Sequence, residues 1–359
     1  MLPLVTLKKL LQMKSKILIL YAEFLGYNYA ALSAFTDIND DTEIHVISWD
    51  DNKKTPYIIP PLKNSLFYPK SNFSIKSLIE FIENLHPSII LVSTRTDKDY
   101  LKVLLKFKNR IKIVGLCDAQ YKKLWTQKIQ ILFSWYFYHR YFDYLWVAGT
   151  RQYEFAKRLG FSEDKIIMNS LVCDKMFFEC HNIRSKLSYI NKSIYYIGRF
   201  SDEKGVLLLV NAFIELSCFF PEWDLVLVGN GPLRNSITKH KRITIKEFMQ
   251  PEELVKETIL IGCFCLPSTS DAWGVALHEM AAAGVPIISS DAVGASTDFV
   301  KNGYNGYTFK NRNTTDLKSK LTLMMGKTDD QLKIYGLNSF NLGRKITPNM
   351  WAASLQYLK

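Results

Sequence analysis

Long apolar runs are missing from this chain of 359 residues. It contains no stretch of about 18 uncharged apolar residues, so the sequence predicts no membrane-spanning helix. The first residues, MLPLVTLKKLLQ, lack the apolar core of a signal peptide. We therefore interpret residues 1–12 as an extension or a short amphipathic helix, and we expect a cytoplasmic protein.

Cysteine is scarce and follows no metal-binding or disulfide pattern. The six cysteines, at positions 117, 173, 180, 218, 263 and 265, form no C-x-x-C pair and have no histidines at zinc spacing. Cys263 and Cys265 lie in an apolar run, where free cysteine behaves as a small hydrophobe. The pattern indicates a reducing compartment and no structural metal.

Acidic residues are nearly absent from residues 101–142. This segment holds nine Lys/Arg and one acidic residue, Asp118, and the formal charge of the whole chain is +12. Such a patch suits nucleic acid, an anionic membrane or an anionic substrate. A solvated helix face accounts equally well for any single lysine. Because no groove-reading or base-stacking module is recognisable, nucleic acid is the disfavoured partner.

Aromatic residues alternate with cations over residues 119–146. This mixture is typical of a membrane interface or of contact with a lipid-linked acceptor. A core helix rich in aromatic residues is the alternative. We expect peripheral contact with an anionic membrane through residues 101–146.

Apolar runs of strand length alternate with helical segments in the first half, which predicts a parallel doubly wound sheet. The predicted strands are 16–22, 43–49, 88–93, 111–117, 144–149 and 165–168, and residues 50–73 and 169–178 are predicted as loops. Gly26 and Asp118 would follow the first and fourth strands, at the edge where ligands of such sheets bind.

The second half repeats the pattern, so the length and the alternation predict two domains. The predicted domains are 1–180 and 194–340, joined by a polar linker at 181–193, and residues 341–359 form a helix that packs back on the first domain. We expect an α/β protein with two Rossmann-like domains facing across a cleft.

Two cations lie between a strand and a helix at Gly198–Gly205, GRFSDEKG. Arg199 and Lys204 in that position suit one diphosphate, although a surface turn with two solvated cations has the same pattern. The next predicted strand ends in V-G-N-G-P, where Gly229 and Gly231 would let the backbone approach a ligand closely. Alone, that glycine pattern indicates only a turn.

The most informative stretch, residues 267–309, places two carboxylates around a predicted helix start. Asp271 precedes Trp273-Gly274-Val275, and Glu279 follows two turns later. Unpaired N–H groups at a helix start attract phosphate, and carboxylates accept hydrogen bonds from hydroxyls. A diphosphate flanked by two hydroxylated rings, as in a nucleotide-sugar, fits this layout.

Together these motifs resemble retaining glycosyltransferases of the GT-B fold, family 4 type. The resemblance rests on G-R-x-x-x-E-K-G, V-G-x-G-P, P-S-x-x-[E/D]-x-[W/F]-G-x(4)-E and G-x-P-[IV]-[IV], in this order over roughly residues 190–310. The first half is similar in layout only, as expected for an acceptor-binding domain.

The resemblance implies a role for each matching residue. Arg199 and Lys204 would bind the donor diphosphate, Glu279 the ribose, and the backbone around Trp273, Gly274 and Val275 the phosphates. The resemblance also assigns Gly198, Gly229 and Gly231 to donor binding and Gly26 to the facing domain. Asp271 stands where the family usually has a glutamate that contacts the donor sugar. Cys117-Asp118 stands near the position where the family often has a histidine. Asp118 is therefore the candidate catalytic residue at that position.

The implied function is transfer of a hexosyl unit from a nucleotide-diphosphate donor, expected to be UDP-linked, to a glycan or lipid-linked acceptor with retention of configuration. It would serve surface polysaccharide synthesis, such as lipopolysaccharide or capsule, without a metal or other cofactor. An inactive GT-B-like subunit of a glycan assembly complex, and another GT-B enzyme such as a nucleotide-sugar epimerase, remain as alternatives.

Overall fold

The computed structural model describes residues 15–50, 57–184 and 190–359, with the side chains of 182–184 excepted. The interpretation of residues 1–12 lies outside this described part. Within it, no helix is both long enough and apolar enough to cross a membrane.

The chain divides into two compact units. The first unit comprises the described residues up to Ala148, Gln152–Leu171 and Pro348–Lys359, and the second comprises Gly149–Arg151 and Val172–Thr347. The division thus falls before residue 172, whereas the sequence placed it after 180. The reason is local, because the Cys173 N–H donates to Nδ1 of His278 at 3.2 Å, which ties this segment to the second unit.

Seven parallel strands form the sheet of the first unit, in the order β3-β2-β1-β4-β5-β6-β7. The strands are β1 Ser15–Leu20, β2 Thr42–Ser48, β3 Ser65–Pro69, β4 Ile89–Ser93, β5 Lys112–Cys117, β6 Tyr144–Val147 and β7 Ile166–Ile167. Ile17–Leu20 are fully buried, because helices cover both faces of a parallel sheet.

The prediction of loop over residues 50–73 is wrong for β3, and residues 51–56 lie outside the described part. β3 pairs with β2 along the register Ile44↔Ser65 to Ser48↔Pro69. It is an edge strand and none of its residues is fully buried. Edge strands lack the continuous apolar run that identifies a central strand, and this one also ends in proline.

The first unit contains α1 Gly26–Ile38, α2 Ile75–Leu85, α3 Lys98–Phe107, α4 Trp125–Leu132, a π-helical turn Trp135–His139, and most of α5 Thr150–Arg158. The last helix of the chain, Pro348–Leu358, also belongs to this unit and packs against α1. Trp351 stacks on Trp146 with ring centroids 4.7 Å apart, and its Nε1–H donates to the Ser170 carbonyl at 3.1 Å.

Six parallel strands form the sheet of the second unit, in the order β10-β9-β8-β11-β12-β13. They are β8 Ser193–Ile197, β9 Asp224–Val228, β10 Ile243–Lys246, β11 Cys263–Leu266, β12 Ile287–Ser290 and β13 Gly306–Phe309. The sequence analysis missed β13, which has only four residues. The prediction of two Rossmann-like parallel-sheet domains is confirmed.

The helices of the second unit are α6 Lys175–Arg184, α7 Val206–Leu216, α8 Pro251–Glu257, α9 Val275–Ala282, α10 Ser296–Phe299, α11 Thr314–Met325 and α12 Asp329–Gly343. The last helix of the chain, Pro348–Leu358, is α13. Helix α6 begins within the predicted loop 169–178 and ends within the predicted linker 181–193, so both predictions are wrong over those residues. The sequence of α6, KMFFECHNIR, has no clear apolar stripe, because this helix packs on α8 and α9 instead of covering one sheet face. Residues 185–189 of the predicted linker lie outside the described part.

Each sheet has one point where the order of strands reverses. In the first unit it lies between β1 and β4, and in the second between β8 and β11. The loops after the two flanking strands diverge there and leave a crevice beyond their carboxyl ends. The fold therefore predicts one ligand site in each unit.

Trp351→Ala is expected to destabilise the first unit by about 3–5 kcal/mol, because it removes a buried indole with its ring stacking and hydrogen bond. Denaturant unfolding of the full chain measures this as a shift in one transition. Tyr357→Ala is the control on the same helix, since Tyr357 is 84% exposed. Equal effects of the two substitutions would show that the helix does not hold the unit together.

Candidate functional site

Two predicted motifs meet at the switch point of the second unit. Gly198–Gly205 follows β8, and residues 267–274 follow the neighbouring β11. The N–H groups of Thr269 and Ser270 donate to the Glu203 carbonyl at 2.8 and 3.3 Å. Sheet order and backbone hydrogen bonds thus hold the two loops side by side.

Glycine is required where these loops touch. Gly205 has φ +67°, and a Cβ there would lie 2.2 Å from the Pro267 carbonyl oxygen. Gly229, with φ +137°, would place a Cβ 2.1 Å from the Gly198 carbonyl oxygen. A Cβ at Gly231 would lie 2.5 Å from the Phe200 carbonyl oxygen. The glycines after β8 and β9 therefore allow segments of the chain to approach each other, a role distinct from the expected approach to a ligand.

Lys204 and Asp271 form an ion pair across the two loops, with Nζ and Oδ2 2.6 Å apart. The side chains are 28% and 11% exposed, respectively. The backbone of Asp271 is also fixed, because its carbonyl accepts the Gly294 N–H at 3.2 Å. The lysine predicted to bind the diphosphate is therefore paired with the carboxylate predicted to contact the donor sugar.

Arg199 is the exposed cation of the site. Its carbonyl oxygen accepts the Tyr196 hydroxyl at 2.6 Å, which fixes the backbone at the end of β8. The guanidinium makes no hydrogen bond or ion pair within the described part of the chain. An exposed guanidinium on a fixed backbone can bind an anion through two parallel hydrogen bonds.

The start of α9 supplies backbone donors at the same edge. Gly274 precedes the helix in the left-handed region with φ +93°, where glycine is favoured. The first N–H groups of a helix, here those of Val275 and Ala276, have no intrahelical acceptor and carry the positive end of the dipole. Trp273 is buried against Phe299, with centroids 5.9 Å apart, and anchors the turn.

Glu279 lies in the second turn of α9, with its carboxyl largely withdrawn from water. Burial, and then the charge of nearby Asp174, raise its pKa to about 7. Burial likewise raises the pKa of Asp174. When ionised, these two carboxyls could accept hydrogen bonds from ligand hydroxyls. The sequence analysis missed Asp174, because it stands alone in a stretch interpreted as loop.

His278, beside Glu279 in the sequence, has a structural role. The ring is fully buried, with Nδ1 accepting from Cys173 N–H at 3.2 Å and Nε2 3.1 Å from the Gly343 carbonyl. These partners fix the neutral tautomer with its proton on Nε2. Burial lowers its pKa to about 4. The ring links the segment before α6 to α9, on which it lies, and to the end of α12.

The first unit has its own cavity of about 230 Å³ at its switch point. Asp118, Tyr27 and Thr94 line this cavity. Gly26 is not one of the lining residues, although its neighbours Leu25 and Tyr27 are. The lining residues are Tyr21, Ala22, Glu23, Leu25, Tyr27, Asn28, Ser93, Thr94, Thr96, Leu116, Asp118, Ser170 and Leu171. Burial, and then the charge of Asp118, raise the pKa of Tyr27 well above its usual value. Its neutral phenol can donate a hydrogen bond at neutral pH.

Every predicted site residue is therefore at a carboxyl edge of a sheet. Those of the second unit come together around β8, β9 and β11, and Asp118 belongs to the separate cavity of the first unit. Among the described residues, no cluster of three or more histidine, cysteine or acidic side chains has metal-binding geometry.

Comparisons with known proteins show which family and which fold this chain resembles. Residues 184–336 match the family model described as glycosyl transferases group 1. A solved structure of Anabaena HepE in complex with UDP and glucose is similar over 96% of this chain and 99% of its own, with 14% identity and a TM-score of 0.73. The chain thus has the GT-B fold, and its residues 184–336 are similar to glycosyl transferases group 1.

Two curated relatives are similar in sequence. The uncharacterised glycosyltransferase MJ1178 of Methanocaldococcus jannaschii is 25% identical over 214 residues, covering 54% of this chain and 58% of the relative. The GtfA subunit of the UDP-N-acetylglucosamine–peptide N-acetylglucosaminyltransferase of Streptococcus pneumoniae is 25% identical over 295 residues, covering 78% and 56%. The chain thus spans little more than half the length of these relatives.

The protein is expected to lose stability on acidification through His278. The unfolded ring binds a proton near pH 6.5 and the folded ring only near pH 4, so the unfolded state binds more protons between these values. The free energy of unfolding then falls as the pH falls, at up to ~1.4 kcal/mol per pH unit.

Denaturant unfolding of wild type and His278→Gln at several pH values tests this slope, with His86→Asn as the exposed-histidine control. His278→Gln is expected to lose the part of the pH dependence that comes from His278. His86→Asn is expected to keep that part. A slope unchanged in His278→Gln would contradict the assignment.

Proposed function

We propose that the protein transfers a hexosyl unit from a nucleotide-diphosphate sugar to an acceptor hydroxyl and retains the anomeric configuration. The observation that carries this proposal is the placement of Arg199, Lys204 and the start of α9 at one switch point, with Glu279 in the second turn of the same helix. Two cations and a helix start provide charge for a diphosphate, and a carboxyl provides acceptors for ribose.

The main chemical requirement is stabilisation of the leaving diphosphate. As the glycosidic bond breaks, negative charge grows on the phosphate oxygens, and fixed donors at that position lower the barrier. Lys204 would turn from Asp271 towards the phosphate or bridge the two. In this proposal cationic side chains and backbone N–H groups stabilise the negative charge of the phosphate without a metal ion. Activity is therefore expected to survive chelation.

Retention in this class is pictured as departure of the diphosphate from the face that the acceptor enters. The leaving phosphate would then take the proton of the acceptor hydroxyl, and no protein nucleophile would be needed. Asp118 is proposed separately, as the acceptor for a hydroxyl of a ligand bound in the cavity of the first unit. Exclusion of water from the donor site would protect the donor from hydrolysis.

Asp271 is the residue expected to influence donor choice. It is one methylene shorter than the glutamate usual in the resembling family, and Lys204 and the Gly294 N–H hold it in place. A shorter, fixed carboxylate accepts hydrogen bonds from a sugar placed closer to the loop. UDP is the proposed carrier, which the name of the S. pneumoniae relative supports.

We further propose a glycan or lipid-linked acceptor in surface polysaccharide synthesis, and a cytoplasmic protein that contacts the inner face of the plasma membrane. The basic and aromatic segment 119–146 supports this setting. An inactive subunit or a nucleotide-sugar epimerase would differ in reaction, since neither transfers a sugar to an acceptor.

Mass spectrometry of UDP-, GDP- and dTDP-sugar hydrolysis is expected to show nucleotide release from a UDP-sugar, with and without a chelator. NMR of the glycoside formed with a matched acceptor should show the anomeric configuration of the donor. An inverted product would exclude the retaining mechanism. Absence of release and of nucleotide binding with every donor would contradict the proposed activity, and nucleotide binding alone would favour the inactive subunit.

Lys204→Ala and Glu279→Ala are each expected to lower turnover at least about tenfold, a loss of ~1.4 kcal/mol or more in transition-state stabilisation. Lys204→Ala removes a phosphate cation and Glu279→Ala removes the ribose acceptor. Initial rates of nucleotide release measure both effects.

The matched controls are Lys310→Ala and Glu222→Ala, two exposed residues of the same unit. They are expected to keep wild-type rates, and circular dichroism checks that all four variants are folded. Wild-type turnover in both site variants would refute the site assignment.

A further inference from the structure

One exposed surface of the first unit, residues 122–136, has an unusual composition. Seven of its large apolar side chains are at least 40% exposed. They are Leu124 (51%), Trp125 (72%), Ile129 (40%), Leu132 (73%), Phe133 (48%), Trp135 (64%) and Tyr136 (47%). No acidic residue occurs between Asp118 and Asp143. We call residues 122–136 the apolar–cationic face.

Helix α4 within this face presents its apolar side to solvent. Trp125, Ile129 and Leu132 stand at i, i+4 and i+7 and form one stripe, and all three are exposed. Gln127, on the opposite side, is 9% exposed, and its amide contacts the Gln120 carbonyl at 2.8 Å and the Lys122 N–H at 2.7 Å. A surface helix of a water-soluble domain has the reverse arrangement.

The π-helical turn that follows α4 extends the same face and is held firmly from beneath. Trp135 and Tyr136 are exposed, whereas Tyr138 is buried. The Arg95 guanidinium lies 4.7 Å from the Phe137 ring centroid, and the Arg140 guanidinium lies 4.5 Å from that of Tyr136. The exposed rings therefore project from a packed support.

Six of the nine cations in residues 101–142 fall into two groups in the structure. Three lysines on and just after α3 have acidic partners, in the pairs Lys102–Asp99 (3.4 Å), Lys106–Glu83 (3.0 Å) and Lys108–Asp143 (2.5 Å). Lys122, Lys123 and Lys128 are exposed and belong to the apolar–cationic face. The membrane contact expected over residues 101–146 is thereby narrowed to 122–136.

We propose that the apolar–cationic face docks on an anionic lipid bilayer, with Trp125, Leu132 and Trp135 entering the headgroup–acyl boundary and the lysines contacting lipid phosphate. Exposed aromatic and aliphatic side chains beside lysines are typical of interfacial membrane contacts. Protein–protein interfaces are instead depleted in lysine, which argues against a protein partner. This inference rests on the proposed function and deepens it by naming the surface on which the acceptor would be presented.

Sedimentation with phosphatidylcholine vesicles, with and without phosphatidylglycerol, tests the docking on the full chain. Wild type is expected to bind the anionic vesicles, and less at high salt because screening weakens the lysine contacts. Trp125→Ser/Trp135→Ser should lower the partition coefficient at least about tenfold. Lys122→Ala, Lys123→Ala and Lys128→Ala should each lower it about fivefold on anionic vesicles only.

The matched control is Phe219→Ser/Tyr357→Ser, which removes two aromatic side chains that are 74% and 84% exposed elsewhere. It should bind vesicles like wild type. Equal vesicle binding by Trp125→Ser/Trp135→Ser and the control, or no binding by wild type, would overturn the proposal. So would a self-associated wild type, seen by light scattering, that the tryptophan variant converts to monomer without any vesicle binding.

Nucleotide release in solution separates this proposal from the proposed activity. The tryptophan variant is expected to release UDP from the donor at the wild-type rate, since its substitutions lie outside the nucleotide site. Loss of vesicle binding with intact release therefore concerns the membrane face alone. Vesicle binding without any release from wild type would refute the activity and leave the docking in place.

Discussion

The site of the second unit depends on the side-by-side placement of β8 and β11. These strands are neighbours in the sheet although the first ends at Ile197 and the second begins only at Cys263. Their loops diverge at the switch point, and the hydrogen bonds from Thr269 and Ser270 to Glu203 lock one loop to the other. Every proposed donor contact follows from this placement, because the cations come from one loop and the carboxylates and helix start from the other.

The second property of this site is the way in which its two carboxyl groups, those of Asp271 and Glu279, are stabilised. A buried carboxyl costs free energy unless it is paired or protonated, and the protein uses both solutions. Asp271 is paired with Lys204, whereas burial raises the pKa of Glu279 to about 7 and so favours its protonated form more than in an exposed glutamate. A diphosphate would compete for Lys204, and ribose hydroxyls would favour the ionised form of Glu279. In the proposed function, both groups would therefore gain a partner when the donor binds.

Much of the fold was predictable from the sequence, and so was the position of the loops that form the candidate site, because both depend on local signals. Buried parallel strands are continuous apolar runs, and the loops after β8 and β11 carry cations, glycines and carboxylates at fixed spacing. The edge strand β3 and the short β13 lack such runs, and α6 lacks a clear apolar stripe. These elements form through contacts with distant segments, which local patterns do not contain.

The missed residues show the same limit. Asp174 can be recognised as a candidate only from its position near Glu279. The structural role of His278 can be recognised only from its contacts with Cys173 and Gly343. The orientation of α4 was equally hidden, since the sequence shows its apolar stripe but not that Gln127 faces the protein. The sequence analysis therefore identified the aromatic and basic segment, and the structure determined which part of it is exposed.

Hydrogen–deuterium exchange of the full chain with and without UDP tests the central claim most directly. The account predicts slower exchange on UDP binding in residues 198–205 and 267–279, because the ligand would contact both loops and the start of α9. Protection confined to other segments of the second unit, or to the first unit alone, would contradict the placement of the diphosphate at the β8–β11 switch point.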